Sequence, residues 1–199
     1  YHIALTRASS STKLFINGVQ SGSTATDATN YSEAYTWIGA NAGGGSSWFA
    51  GYISNIRVLK GQALYTTNFT PSTSPLTAVT NTQLLTCQSN TFIDNSTNAF
   101  AITAATTTVK PVAVSPFTPN SYTGTQITTW GSAYFNGSTD YINVPSGVLG
   151  SFGTNNFTVE CWIYQNAAVP SGGSSIIDNW ISGGSGSYTT NEYQFYLST

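Results

Sequence analysis

The sequence predicts an all-β protein built from antiparallel strands. Apolar and polar residues alternate with period two in several short runs, among them Tyr1–Thr6 (YHIALT) and Phe157–Tyr164 (FTVECWIY). Between the runs lie turn-forming pairs and small-residue stretches, such as Asn17-Gly18 and Asn41–Ser47 (NAGGGSS). Only 6% of the residues are charged, against about a quarter in an average domain, while 14% are aromatic and can fill a core. Ser, Thr, Asn and Gly replace charge, which marks a hydroxyl- and amide-rich β surface rather than a disordered chain.

Each element follows from this pattern. In the first run Tyr1, Ile3 and Leu5 share one face and His2, Ala4 and Thr6 the other. After a Ser-rich turn, Leu14 and Ile16 alternate with Lys13, Phe15 and Asn17. Asn17-Gly18 then supplies the positive φ angles of a tight turn. Tyr31–Ala40 (YSEAYTWIGA) reads as an aromatic strand ending at Gly39, and Asn41–Ser47 as a loop. No lysine and no helical pattern follow that loop, so it does not have the form of a phosphate cradle. Trp48–Leu59 (WFAGYISNIRVL) is the next strand, with Tyr52, Ile53, Ile56 and Val58 as core candidates; turning Ile53, Ile56 and Val58 all inward requires a bulge near Ser54-Asn55. Lys60–Leu76 reads as a closing tail that Pro71 and Pro75 keep irregular. After a short linker, Thr82–Gln88, Phe100–Thr103, Ala133–Pro145, Asn156–Gln165, Ser175–Trp180 and Glu192–Ser198 read as further strands. Pro111, Pro116 and Pro119 confine their segment to an edge or to no strand.

The runs YHIALTR…KLFINGVQ, WIGA and FAGYISNIRVLKGQALYTTNFTPSTSPL resemble the C-terminal half of laminin-G-like, concanavalin A-like jelly-roll domains. The subtype is similar to repeats of marine phage structural proteins and bacterial surface proteins. From Thr82 onward TQLLTCQ, the Asp94–Asn98 loop, AYFNGSTDYINVP and NFTVECWIYQ resemble the N-terminal half of the same family. The resemblance implies a jelly-roll β-sandwich, tandem and incomplete at both ends. Residues 1–77 then belong to one domain and residues 78–199 to the following one. It further implies a non-enzymatic structural or adhesion module of a virion surface or tail-fibre protein that contacts glycans. The alternative is a bacterial extracellular adhesin or filament repeat, acting as a spacer or self-assembling subunit. The expected partners are glycans or a host cell surface, and neighbouring repeats or copies of the chain itself; the expected location is the virion surface or extracellular.

Composition and motifs narrow the chemistry. Five Lys+Arg against seven Asp+Glu leave no basic stripe for nucleic acid. No apolar 18-residue run calls for membrane insertion. His2 is the only histidine and no Gly-x-Ser-x-Gly elbow occurs, so a serine triad has no support. A glycosidase needs two carboxylates flanking the bond, and Glu160 stands alone on its strand. Binding is the better reading. Glu160, Trp162 and Tyr164 share the face opposite Val159, Cys161 and Ile163, where an acid can accept from sugar hydroxyls while rings stack on the apolar face of the sugar. The competing reading packs these rings beneath a loop. Trp48, Trp180 and Tyr188, in or beside Gly/Ser-rich loops, are further rim candidates. Asp94, Asn95 and Asn98 bunch hard oxygen ligands in a short loop and are candidates for calcium, against a loop that satisfies its own backbone. Cys87 and Cys161 lie far apart within apolar runs, which reads as two buried thiols, with one disulfide as the alternative.

Overall fold

The structure, a computed structural model, describes residues 1–32, 36–41, 46–117, 130–145, 147, 149–179 and 193–198. Among them are thirteen strands: β1 (His2–Ala8), β2 (Ser11–Ile16), β3 (Val19–Thr26), β4 (Thr36–Ile38), β5 (Ala50–Lys60), β6 (Thr82–Thr86), β7 (Thr103–Ala104), β8 (Lys110–Val112), β9 (Ser132–Asn136), β10 (Ile142–Val144), β11 (Phe157–Gln165), β12 (Ser174–Asp178) and β13 (Gln194–Leu197). They form two antiparallel sheets. The larger runs β3-β2-β1-β11-β5-β9-β8, with β6 also paired to β5, and the smaller runs β13-β12-β4-β10-β7. The Lys110–Val112 strand, with Pro111 at its centre, is an edge, where a missing N–H costs least.

The sheets face each other across one core. Ile3, Ile53, Val58, Leu84, Phe135, Val159 and Cys161 fill it from the larger sheet, and Ile38, Ile142, Val144, Ile177 and Phe195 from the smaller. This is the all-β sandwich of the concanavalin A-like type. β11 lies between β1 and β5, and β10 pairs with β4. Residues 1–77 and 78–199, expected to lie in successive domains, therefore interleave here in the same two sheets.

The bulge in β5 falls where the apolar pattern places it. The β5–β11 register shifts between Glu160 and Trp162, opposite Arg57 and Ser54, so two residues of β5 are absorbed opposite Cys161. Asn55 takes φ 53°. Asparagine tolerates this left-handed region better than most residues. Its carboxamide accepts from the Leu76 N–H and from Gln88 Nε2, which ties the closing tail to the bulge.

A third layer covers part of the outer face of the larger sheet. The tail after β5 folds back so that Tyr65 stacks on Phe69 at 3.6 Å, and Phe15 packs edge-on against Phe69 at 5.4 Å. Leu76, Leu85, Phe117 and Trp162 form a second apolar cluster there. This layer reverses the burial that alternation in β2 suggests. Phe15, on the polar-side position of β2, is fully buried, while Ile16 is 37% exposed and Leu14 only half-buried. β2 lies next to the edge strand, beyond the densest part of the sandwich core, and it is the covering layer that buries its outer face.

Candidate functional site

Strand register assembles the outer face of the larger sheet. β1 pairs with β11 as His2↔Trp162 and Ala4↔Glu160, and β11 pairs with β5 as Glu160↔Arg57 and Trp162↔Ser54. Glu160 is therefore flanked by side chains of both neighbours. Its Oε1 accepts from Arg57 Nε at 2.9 Å and Arg57 Nη2 at 2.6 Å. Its Oε2 lies 3.0 Å from His2 Nε2 and accepts from the Tyr65 hydroxyl at 2.9 Å. Arg57 Nη1 also donates to the Thr77 carbonyl, so the cluster pins the covering tail. Burial works to raise the Glu160 pKa, but the hydrogen bond from His2, the Arg57 guanidinium and the Tyr65 hydroxyl outweigh it and hold the carboxyl below its ordinary range. Burial and the adjacent carboxylate push the Tyr65 phenol up.

This corrects the expected role of Glu160. The residue is fully buried and its four hydrogen bonds come from three side chains, Arg57, His2 and Tyr65, so it anchors the covering layer instead of presenting an acceptor to a sugar. Trp162 is 9% exposed, wedged between His2 at 4.4 Å and Phe117 at 4.8 Å. Of the three residues expected on this face, Tyr164 alone is open to solvent, at 66% exposure.

Tyr164 heads a row that crosses four strands. It stands opposite Tyr52 of β5, which stands opposite Tyr134 of β9, which stands opposite Lys110 of β8. The Tyr52 ring lies 5.3 Å from that of Tyr134 and 6.1 Å from that of Tyr164, tilted by 53° and 54°. The covering layer stops short of this row. Between the two opens a groove of about 400 Å³. Trp162, Ser54 and Ser132 lie in its floor, Asn17 and Pro71 on one side, Val114 to Pro116 on the other, and Tyr52 and Tyr164 at its mouth. The Ser132 hydroxyl donates to the Val114 carbonyl and so fixes that second wall. His2 also lines the groove, with its Nδ1 buried and without a hydrogen-bond partner. Polar groups set among rings in this way suit a hydroxyl-bearing ligand with apolar faces.

The other candidates do not converge on this groove. Trp48 is half-buried and packs against Tyr141 at 6.2 Å. Trp180 and Tyr188 lie outside the described residues. Of the three calcium candidates, the carboxylate is already engaged. Asp94 is buried, its Oδ1 accepting from the N–H groups of Leu85 and Ser96 and its Oδ2 from the Ser96 hydroxyl and the Phe100 N–H. Asn95 Nδ2 donates to Gln88 Oε1, and Asn98 Nδ2 to the Gln83 carbonyl. Asp94 thus spends both oxygens on the N–H groups of Leu85, Ser96 and Phe100 and on the Ser96 hydroxyl. Among the described residues no three His, Cys, Asp or Glu side chains cluster as a metal centre.

Tyr52, at the groove, and Tyr134, next to it in the row, are residues that sequence reasoning missed. The alternation Ala133-Tyr134-Phe135 carries the signal for Tyr134. Tyr52 was expected in the core; with Ile53 inward and the bulge beyond it, alternation turns Tyr52 outward.

Residues 1–65 match the concanavalin A-like lectin/glucanases superfamily, in its Laminin_G_3 family. The matched stretch runs from β1 through β5 to Tyr65 and so includes His2, Tyr52 and Arg57. It agrees with the resemblance drawn from the sequence over those residues and with the observed sandwich. The superfamily's description joins lectins with glucanases, a carbohydrate-binding or adhesion type of module. Comparison with curated proteins and with solved structures gave no match. No helix among the described residues is long and apolar enough to cross a membrane.

Proposed function

We propose that this chain is a non-enzymatic glycan-binding and adhesion module whose contact face is the tyrosine row and the groove beside it. The observation that carries this reading is the 66% exposure of Tyr164 at the groove mouth, in strand register with Tyr52 and Tyr134. With strands about 4.8 Å apart, the row from Tyr164 to Lys110 spans roughly 14 Å, room for a short oligosaccharide. The non-enzymatic reading is supported by three of the described acids. Glu160 is enclosed by its four hydrogen bonds, Asp94 serves its own loop, and Asp140 accepts from Thr106, Thr108 and the Asn136 N–H. A hydroxyl-rich, charge-poor surface suits a virion surface or tail fibre that meets host glycans. The burial of Glu160 and Trp162 favours a second reading, a bacterial adhesin or filament repeat acting mainly as a spacer.

Tyr164→Ala separates the two. The exposed ring leaves no cavity, so thermal stability should stay unchanged. Covering about 60 Å² of ring is worth about 1.5 kcal/mol, so retention on a glycan array should fall about tenfold. Unchanged retention, or no glycan retained by the native protein, removes the binding reading and leaves the spacer.

A further inference from the structure

We propose a second saccharide site, on the outer face of the smaller sheet, that takes one uncharged or amine-bearing sugar residue and rejects acidic ones. On β12 and β13 the residues facing away from the core are Asp178, opposite Gln194, and Ser175, opposite Tyr196; Ile177 and Phe195 face inward. Beside them the segment after β4 folds back, with an Asn41↔Ser46 bridge, and the Ser47 carbonyl accepts from the Ser175 N–H at 2.7 Å. The Ser47 hydroxyl donates to the Gly172 carbonyl at 2.8 Å, which holds that segment against the start of β12. The result is a pocket of about 280 Å³ whose lining includes Asn41, Ser47, Ser175, Asp178, Gln194 and Tyr196.

The lining states what the pocket takes. The Gln194 carboxamide and serine hydroxyls offer donors and acceptors above the buried Asn41 and Asp178, and no aliphatic side chain lines it among the described residues. Tyr196, 48% exposed, supplies one ring at the rim. That combination matches a sugar ring, with hydroxyls around its edge and C–H groups on its face. The volume of about 280 Å³ falls just below the usual range of small-molecule sites, enough for one ring and not for a chain. Charge sets the specificity. Asp178 is fully buried, its Oδ2 accepting from the Ser175 hydroxyl at 3.3 Å, and no Lys, Arg or His lines the pocket among the described residues. A uronic or sulfated sugar brings a second negative charge into a poorly solvated site, which Coulomb repulsion disfavours. This site is independent of the tyrosine groove, which opens on the other outer face of the sandwich. With both occupied, the module bridges two glycan chains.

The whole chain is titrated with glucose, galactose, N-acetylglucosamine, glucosamine and glucuronic acid while the backbone amide resonances of Ser175 and Asp178 are followed by NMR. At least one of the first four should shift them saturably below about 100 mM, and glucuronic acid should bind at least about tenfold more weakly. Tyr196→Ala and Gln194→Ala alter exposed side chains and keep the fold, so each should weaken that binding about fivefold or more, with circular dichroism unchanged. Tyr164→Ala should leave it intact. Three results overturn the site: no saturable shift from any sugar, glucuronic acid binding as well as glucose, or full binding in the Tyr196→Ala variant. Binding lost with Tyr164→Ala alone removes this site and leaves the groove. Binding lost with the Tyr196 and Gln194 variants alone keeps this site and leaves the groove to its own test, the Tyr164→Ala variant on the glycan array.

Discussion

Glu160→Gln keeps the shape of the side chain and deletes its charge. Arg57, 5% exposed, then holds a buried cation without its counter-ion. The new amide also turns an NH₂ group toward Arg57, Tyr65 or His2, which now donate to the carboxylate. Removing one member of a buried ion pair costs about 3–5 kcal/mol. For a chain of this size ~1 kcal/mol moves Tm by about 2–4 °C, so the variant should melt roughly 6–20 °C lower. Thermal circular dichroism and urea unfolding measure it. The double variant Arg57→Met/Glu160→Leu should recover most of the loss, because it removes both charges from the same buried site. Acid gives a second readout. The folded Glu160 pKa lies below its unfolded value of about 4.3, so its contribution is complete above that pH and drains away as pH falls through the folded pKa. Glu160→Gln should therefore show a flatter acid limb than the native chain. A cost below about 1 kcal/mol, or a double variant as unstable as the single one, refutes the view that this ion cluster clamps the covering layer.

Two further outcomes follow from other buried groups. Arg7, fully buried, donates to the carbonyls of Thr29, Gly153 and Asn155 and packs over the rings of Tyr31 and Phe157. Arg7→Met should cost about 3–5 kcal/mol by urea unfolding, and the Tyr31 and Gly153 amides, paired to each other's carbonyls, should lose hydrogen-exchange protection first. A loss confined to distant strands contradicts that role. Cys87 and Cys161 are free and buried, and desolvation pushes the Cys87 thiol up to about 12 and Cys161 well above its ordinary value. Native protein at pH 8 should react with Ellman's reagent only as fast as it unfolds, and denatured protein should give two equivalents at once; fast reaction of the native thiols overturns their placement.

Much of the sandwich was legible because period two reports the pleat directly. Ile53, Ile56 and Val58 cannot all face inward without an extra residue, and the bulge with Asn55 at positive φ follows from that count alone. The expected thiols are found free and buried in the core. The candidate site was less legible. Glu160, Trp162 and Tyr164 share one face as alternation requires, yet alternation says nothing about what lies above that face. Tyr65 of the tail covers Glu160, Phe117 and Leu76 close over Trp162, and Tyr164 stays open. Tyr52 and Tyr134 lie far apart in the chain and meet only through the β5–β9 register.

By itself the sequence determined the class of fold, most strands, the inward bulge in β5 and the small share of charge, since each depends on residues within a few positions of one another. Tertiary structure alone decided which outward faces stay open. Insertion of β11 between β1 and β5 brought His2, Arg57 and Glu160 together, and the covering tail sealed them. The same pairings lined up Tyr164, Tyr52 and Tyr134 beyond its end. The physical reason is that burial of an outward residue depends on long-range strand order and on where a loop folds back, neither of which leaves a periodic trace in the chain.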